Sequence, residues 1–264
     1  MRIIVPADYF KASQPDEIYA EQVAAFLHLG YTVSTFTFEG DRLFRPAIEA
    51  GDLVIYRGWM LDEAEYTAFE EQVNAAGGTL LTSTGAYLQT HHLPRWFPLL
   101  ADLTPETVCF RDLASVQTEL RNLGWDRFFI KDFVKSLKTG SGSLIERPEQ
   151  IGTLMHDMKQ FRGKIEGGIC ARRFEEFRPE TERRYFVLDG LAASSDGTPP
   201  PQIVQDCADR IPSCFFSVDV AERADGVLQV VEIGDGQVSD LVGWAVPRFV
   251  ELWSHHFPST TRGA

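Results

Sequence analysis

The stretch that decides the fold lies near the end of the chain: Phe215-Phe216-Ser217-Val218-Asp219-Val220, then Asp225-Gly226, then Val230-Val231-Glu232-Ile233-Gly234-Asp235-Gly236. Two apolar runs on either side of an Asp-Gly turn signal predict a β-hairpin. Asp219 lies six residues before this turn and Glu232 six residues after it. Residues that face each other across an antiparallel pair share one side of the sheet, so the hairpin places the two carboxylates opposite or nearly opposite each other.

The two acids of this hairpin allow two interpretations. Like charges within apolar strands are costly to hold together unless a cation neutralises them. A hard cation such as Mg²⁺ binds one or two carboxylates together with phosphate oxygens, which predicts a metal–phosphate site. The alternative is a hairpin whose two acids simply face water.

Composition narrows the class of protein. The chain has 264 residues, of which 44% are hydrophobic, enough for one large domain or two smaller ones with a full core. A net charge of -13 argues against non-specific nucleic-acid binding. The four cysteines make no CxxC pair and are interpreted as reduced thiols, and no stretch approaches a membrane span. We therefore expect a cytoplasmic protein without nucleic-acid or membrane partners, and make no prediction of its oligomeric state.

The pattern of elements changes along the chain. Residues 1–100 alternate apolar strands with amphipathic helices, which predicts a parallel sheet in an α/β lobe. The proline-rich stretch Thr90–Pro105 is interpreted as the linker between two lobes. Residues 101–264 carry further strands that are expected to be mainly antiparallel. The fold class is therefore predicted to be α+β, with an N-terminal parallel-sheet lobe.

A lysine and a polar loop follow one predicted strand of the second lobe. Lys131 ends the apolar run Phe128-Phe129-Ile130, so its side chain either reaches the surface or points into a cleft. The following loop, Lys135–Ser143, holds two lysines, four hydroxyl side chains and two glycines. Such a loop suits the covering of phosphates by backbone N–H and ammonium groups, although most polar Gly/Ser loops are only connections. It lacks the spacing of a Walker A or dinucleotide motif.

A charged segment with two phenylalanines comes later, at Arg172-Arg173-Phe174-Glu175-Glu176-Phe177, and Glu182 and Arg184 begin the next strand. The two phenyl rings are suited to holding a flat ring. The alternative is that the alternating charges are one solvated face of a strand.

The order of these features resembles the ATP-grasp superfamily. A strand lysine, a Gly/Ser flap, a Glu-Glu-Phe segment, a Glu-x-Arg strand and two strand carboxylates follow one another between about residues 106 and 240. The Val-Glu-Ile-Gly-Asp-Gly-Gln ending is most similar to a bacterial and phage clade named for two arginines and a lysine. The resemblance implies an ATP-grasp module at 101–264 that follows a substrate lobe at 1–100, with ATP and Mg²⁺ as cofactors.

The resemblance also implies roles for individual residues. Those expected to bind the nucleotide are Lys131, Lys138, Ser141, Arg173, Glu175, Glu176, Phe177 and Glu182. Lys131 and Arg184 are the implied catalytic residues, and Asp219 and Glu232 the implied metal ligands. The family commonly has Glu-x-Asn where this chain has Glu232-Ile233-Gly234. The third metal ligand is therefore assigned to Asp235, with Gln237 as the alternative.

The implied reaction is ATP-dependent ligation of a carboxylate to an amine through an acylphosphate, with small molecules or peptides as substrates. The alternatives are an ATP-grasp kinase that phosphorylates a small molecule and a regulatory protein that binds ATP without turnover. An N-terminal substrate site is predicted at Arg57, Asp8 and Lys11, which follow apolar strands, because ligands gather at the carboxyl ends of parallel strands. The alternative for Arg57 is a structural pairing with an acid.

Overall fold

The computed structural model describes residues 1–134, 136 and 142–257. The strands within these residues are β1 (Arg2–Pro6), β2 (Thr32–Phe36), β3 (Phe44–Arg45), β4 (Leu53–Tyr56), β5 (Thr79–Leu80), β6 (Thr107–Phe110), β7 (Phe128–Asp132), β8 (Leu144–Ile145), β9 (Ile169–Arg173), β10 (Arg183–Leu188), β11 (Leu191–Ala193), β12 (Phe215–Glu222) and β13 (Leu228–Asp235). The α-helices are α1 (Ala20–His28), α2 (Glu63–Ala75), α3 (Thr84–His91), α4 (Leu93–Trp96), α5 (Val116–Leu123), α6 (Ile151–Arg162), α7 (Gln202–Arg210) and α8 (Val246–His256).

The described residues divide into two compact units. The first unit contains Met1–Gln89, Arg183–Val218 and residues 234–257, and the second contains the described part of Thr90–Glu182 together with Asp219–Ile233. The first unit therefore draws on three separate segments of the chain, which differs from the two contiguous domains expected at 1–100 and 101–264. The tip of the β12–β13 hairpin belongs to the second unit.

The predicted parallel sheet is present in the first unit. Its order is β3-β2-β1-β4-β5, with β1 parallel to both β2 and β4, and β4 parallel to β5. The two-residue strand β3, which the sequence pattern did not predict, runs antiparallel to β2. Asp62 and Glu65 have the spacing that predicts a capping box at a helix start. Helix α2 begins with that box, because Asp62 accepts from the Glu65 N–H and Glu65 accepts from the Asp62 N–H.

Two further sheets are mainly antiparallel, as expected. One has the order β11-β10-β12-β13 and the other β6-β9-β7-β8. In the first unit α1 packs on α8, and a cluster that includes Phe186, Phe215 and Trp253 fills the core. In the second unit Ile130, Ala171 and their neighbours cover one face of the β6-β9-β7-β8 sheet.

Some sequence expectations were wrong at the level of single elements. The stretch interpreted as a linker contains α4 and the end of α3, and α7 was not predicted. Asp112 precedes the apolar positions Leu113, Val116 and Leu120, and this pattern predicts that it caps a helix. It does not cap α5, which begins at Val116 after Ser115. Its carboxylate accepts instead from the Ala114 N–H at 3.0 Å. A short polar side chain bonds as well within a turn as at a helix start, so this signal alone did not locate the helix.

The cysteines also differ from expectation. Cys109 and Cys170 face each other on β6 and β9 and form a disulfide, whereas Cys207 and Cys214 are free. The two paired residues are 61 positions apart in the sequence, so only the strand pairing brings them together. No helix among residues 1–134, 136 and 142–257 is long and apolar enough to cross a membrane.

Candidate active site

The first candidate region is a face of the β6-β9-β7-β8 sheet in the second unit. Strand register pairs Ile130 with Ala171 and Lys131 with Cys170. Ile130 and Ala171 belong to the core, so Lys131 and Cys170 point to the opposite face, because side chains alternate along a strand. Only 5% of the Lys131 side chain is exposed, so the lysine does not extend to the protein surface.

The buried ammonium group of Lys131 has a carboxylate partner. Its Nζ donates to Oε1 of Glu232 at 2.6 Å, and the Glu232 side chain is 39% exposed. A buried ammonium is costly unless a negative group compensates it, so this ion pair explains how the lysine is held ready on the sheet. The sequence placed both residues in one site, and the structure brings them into contact. We call these two residues the Lys131–Glu232 cluster.

Asp219 belongs to the same unit and is buried at 4% exposure. Within residues 1–134, 136 and 142–257, no group of three or more His, Cys, Asp or Glu side chains is arranged to hold a metal ion. Two carboxylates are nevertheless an ordinary protein contribution to Mg²⁺ binding when phosphate oxygens supply other ligands. The carboxylates of Asp219 and Glu232 are therefore of the donor type that suits Mg²⁺ bound with a phosphorylated ligand, and their metal role stays a prediction.

Arg172 supports this cluster and was not singled out by the sequence. It is buried, and its guanidinium donates to the Val231 carbonyl, to Thr104 Oγ1 and to Thr107 Oγ1, while it lies 5.6 Å from the centroid of the Trp96 ring. Burial lowers its pKa to about 10, opposed by the charges of Glu232 and Glu175. Through its bond to the Val231 carbonyl, Arg172 is attached to the residue that precedes Glu232 in β13.

Arg173, which the resemblance implied as a nucleotide contact, points the other way. Its side chain is 60% exposed and lies 3.8 Å from a carboxylate oxygen of Glu106. The signal that separates the two arginines is strand alternation, since Arg172 lies two residues beyond Cys170 and shares its face.

The Glu175–Phe177 segment, implied as the adenine hinge, is attached to the tip of the β12–β13 hairpin. Arg223 Nη1 lies 3.1 Å from Glu175 Oε2, the Glu176 carbonyl accepts from the Ala224 N–H, and Phe177 forms a β-bridge with Arg223. A cavity of about 480 Å³ lies here, lined by Glu175 and Glu176 together with Arg173, Phe174 and residues 223–225.

Four further residues were expected at the site, three as nucleotide contacts and Arg184 as a catalytic residue. Glu182 is exposed. Arg184 lies in the first unit, where its Nη1 donates to the Asp240 carbonyl at 3.0 Å. Lys138 and Ser141 lie outside the described residues. The roles of these four residues stay predictions.

Asp235 and Gln237, proposed as third metal ligands, belong to the first unit and bind each other. Asp235 is buried, and its Oδ1 accepts from the backbone N–H and from the side-chain amide of Gln237 at 3.0 and 3.1 Å. Gly234, where the family commonly has Asn, has little space around it. A Cβ there would lie 2.9 Å from the Oγ atoms of Ser217 and Ser239, so an Asn side chain would require those hydroxyls to move.

Arg57, expected to anchor a substrate, is buried at the end of β4. Its Nε donates to Gln22 Oε1 at 2.8 Å, its Nη1 donates to the Gln237 carbonyl at 2.8 Å, and its guanidinium lies 5.1 Å from the centroid of the Phe249 ring. Burial lowers its pKa to about 10. These contacts hold the guanidinium inside the fold through an amide and a carbonyl rather than an acid, and the role of Arg57 toward a substrate stays a prediction.

The second candidate region is a cavity of about 1000 Å³ in the first unit, which we call the sheet-edge cavity. It lies where β1, β2 and β4 end and is lined by the residues that follow each strand. Asp8 lines it, and its carboxylate accepts from the N–H groups of Phe10 and Lys11. Lys11 is exposed and is not among the lining residues.

The sequence and the structure were compared with known protein families and solved structures. The family model described as ATP-grasp domain, R2K clade family 3, matches residues 96–254. No curated protein matches the sequence significantly. The chain is similar in structure to D-cycloserine synthetase DcsG, with 16% identity, a TM-score of 0.66 and coverage of 97% of this chain and 99% of that one.

Two other solved structures are similar to this chain at comparably low sequence identity. D-alanyl-alanine synthetase A from Vibrio cholerae O1 has 11% identity and a TM-score of 0.65, with coverage of 97% of this chain and 94% of that one. The ATP-grasp ligase PsnB complexed with minimal precursor, Mg and ADP has 14% identity and a TM-score of 0.56, with coverage of 95% and 96%. At these identities the likeness shows a shared fold.

Proposed function

The chain belongs to R2K clade family 3 of the ATP-grasp domains, and on this premise we propose that it is an ATP-dependent ligase that joins a carboxylate to an amine with Mg²⁺ and ATP. The observation that carries the proposal is the buried ammonium of Lys131, held by Glu232 on the face of the sheet opposite the core. A fixed positive charge next to a carboxylate suits a nucleotide triphosphate with its metal ion.

The proposed division of work follows from this cluster. When ATP enters, its phosphate oxygens replace Glu232 as the partner of Lys131, so the ammonium stays compensated throughout. Glu232 and Asp219 are then the residues that hold Mg²⁺, which supplies further neutralisation of the phosphate charge when bound. Arg172 keeps the strand that carries Glu232 in place through its bond to the Val231 carbonyl. The chain's contribution is positioning and charge neutralisation.

The proposed reaction has two steps. A substrate carboxylate oxygen attacks the γ-phosphorus of ATP, the bond to the bridging oxygen breaks, and ADP leaves. The amine nitrogen then attacks the acylphosphate carbonyl carbon, inorganic phosphate leaves, and the nitrogen loses a proton as the amide forms. Lys131 stabilises the negative charge that develops on the phosphate oxygens, and Arg184 is proposed to act on the transferred group.

The test is ADP release in a screen of amino acids and peptides supplied as paired carboxylates and amines. The ligase proposal requires ADP and phosphate to form in equal amounts only when both substrates are present. Formation of ADP with a phosphorylated hydroxyl compound and no free phosphate would instead identify a kinase. ATP binding without ADP formation across the whole screen would identify a regulatory protein.

A further inference from the structure

The sheet-edge cavity has a position that predicts ligand binding in its own right. In the strand order β3-β2-β1-β4-β5, β2 lies on one side of β1 and β4 on the other, so the chain changes the direction in which it adds strands at β1. In open sheets of parallel strands, ligands bind beyond the carboxyl ends of the strands at such a reversal. Segments that follow β1, β2 and β4 contribute lining residues that include Asp8, Glu39 and Trp59, and residues of α2 line the cavity together with Asp16.

The charge of this cavity is strongly one-sided. Asp8, Asp16, Glu39 and Glu65 line it together with a single guanidinium, that of Arg42, so its formal net charge is minus three. Asp8, Asp16 and Glu65 each accept backbone N–H bonds through one carboxylate oxygen. Glu39 is exposed. A ligand that carries a positive charge is therefore favoured.

Aromatic and apolar side chains complete the wall. Tyr9 and Trp59 line the cavity with 85% and 41% of their surfaces exposed, and Phe38, Met60 and Leu61 lie beside them. Acids next to exposed aromatic rings are the combination that binds an ammonium group on an aliphatic stem, since the rings attract a cation and cover the methylene groups.

Arg42 provides the opposite charge. Its backbone has a φ of 51°, a left-handed conformation that is unfavourable for a residue with a side chain. Its Nε is enclosed, and no hydrogen-bond partner for it occurs among the residues that the structure describes. Strained and unsatisfied groups of this kind are concentrated at ligand sites. A carboxylate is the natural partner of a guanidinium.

We propose that the sheet-edge cavity binds a ligand of the lysine type, with its side-chain ammonium among the acids and aromatic rings and its carboxylate on Arg42. In the ligase this ligand is the amine substrate, and that assignment rests on the proposed function, whereas the binding itself does not. The same chemistry is offered by free lysine and by a peptide that ends in lysine.

The test is calorimetric titration of the full chain, with and without AMPPNP, by three matched ligands. Lysine carries both charged groups, cadaverine lacks the carboxylate, and norleucine lacks the side-chain ammonium. We expect lysine to bind at least about tenfold more tightly than cadaverine or norleucine, because each of these two ligands lacks one charge-assisted bond to the cavity. A tripeptide that ends in lysine distinguishes the peptide source from the free amino acid.

Variants assign the two ends of the ligand. R42Q is expected to remove the preference for lysine over cadaverine, and E39Q to weaken lysine and cadaverine but not norleucine. E21Q, which removes the same charge from an exposed position on α1 outside the cavity, is the control and is expected to bind lysine as the unaltered chain does. Melting temperatures show that each variant is folded.

Two results would overturn the inference: norleucine binding as tightly as lysine, or no lysine binding in either condition. In the second case, ADP release stimulated by another amine would leave the ligase proposal standing. Lysine binding that depends on Arg42 and Glu39, without ADP release in any combination, would support the cavity and count against the ligase.

Discussion

Lys131 Nζ lies 2.6 Å from Glu232 Oε1, although the two residues are 101 positions apart in the chain. The pair joins β7 to β13 within the second unit and compensates a lysine whose side chain is 5% exposed. If an anion and a cation bind together, the lysine can pair with the anion and the glutamate with the cation. Neither side chain is then left without an opposite charge, so the free-energy cost of separating the pair is small. Nucleotide phosphate and Mg²⁺ are such a combination.

Substituting Lys131 is expected to weaken ATP binding while the fold is kept. K131M retains the apolar stem and removes one charge-assisted phosphate contact, worth roughly 1.5–3 kcal/mol or about 10- to 150-fold in affinity. Titration with ATP and Mg²⁺ measures the loss. K159M, on an exposed part of α6, is the control. Unchanged ATP affinity in a folded K131M protein would remove Lys131 from the site.

Asp219 and Glu232 are expected to set the Mg²⁺ requirement. D219N and E232Q each remove one negative charge from the proposed metal ligands, so both should raise the Mg²⁺ concentration needed for half-maximal ATP binding by about tenfold or more. D126N, at an exposed position of the same unit, should leave it unchanged. A wild-type Mg²⁺ dependence in both variants would mean that the acids do not bind the metal.

Substitution of Arg172 is expected to destabilise the protein, whereas substitution of Arg173 is not. R172M leaves the Val231 carbonyl and two threonine hydroxyls without their donor, which should lower the free energy of unfolding by roughly 2–4 kcal/mol. It should also weaken Mg²⁺-dependent ATP binding, because the backbone next to Glu232 loses its bond to Arg172 while β13 keeps its pairing with β12.

R173M is the matched control for the stability measurement, since its side chain is exposed and its melting temperature should change little. Its ATP affinity tests the nucleotide role that the family resemblance implied. Equal melting temperatures for R172M and R173M would contradict the positioning role of Arg172.

Arg57 is expected to act on stability. R57M removes the donor to Gln22 Oε1 and to the Gln237 carbonyl, and should lower the melting temperature by roughly 5–10 °C. R121M breaks the exposed pair with Glu149 and should have almost no effect. A raised KM for one substrate with an unchanged melting temperature would contradict a stabilising role and support the prediction that Arg57 anchors that substrate.

The cysteine pairing is expected to be visible by thiol titration. The unfolded, unreduced chain should show two titratable thiols, those of Cys207 and Cys214, and four after reduction. Chain entropy over 61 residues predicts that reduction lowers the free energy of unfolding by roughly 4 kcal/mol. The double variant C109A/C170A should not respond to reductant. Four thiols before reduction would restore the expectation that all four cysteines are free.

Local sequence signals determined much of the fold. The capping box at Asp62 and Glu65, the apolar strand runs and the Asp225-Gly226 turn depend on interactions within a few residues, and each appears where the pattern placed it. The ordered set of Lys131, Asp219 and Glu232 also identified the ATP-grasp family, because short motifs keep their order along the chain even where overall identity is low.

Tertiary structure decided which of these residues meet and what they face. The Cys109–Cys170 bond arises from the register of β6 and β9, and the burial of Arg172 rather than Arg173 from alternation along β9. The Lys131–Glu232 contact joins strands of two different sheets that are 101 positions apart. A shift of one residue would turn every one of these side chains to the other face, and no local pattern specifies that register. The sheet-edge cavity likewise exists only because three parallel strands end together, so its acids, aromatic rings and Arg42 are scattered in sequence and joined by the fold.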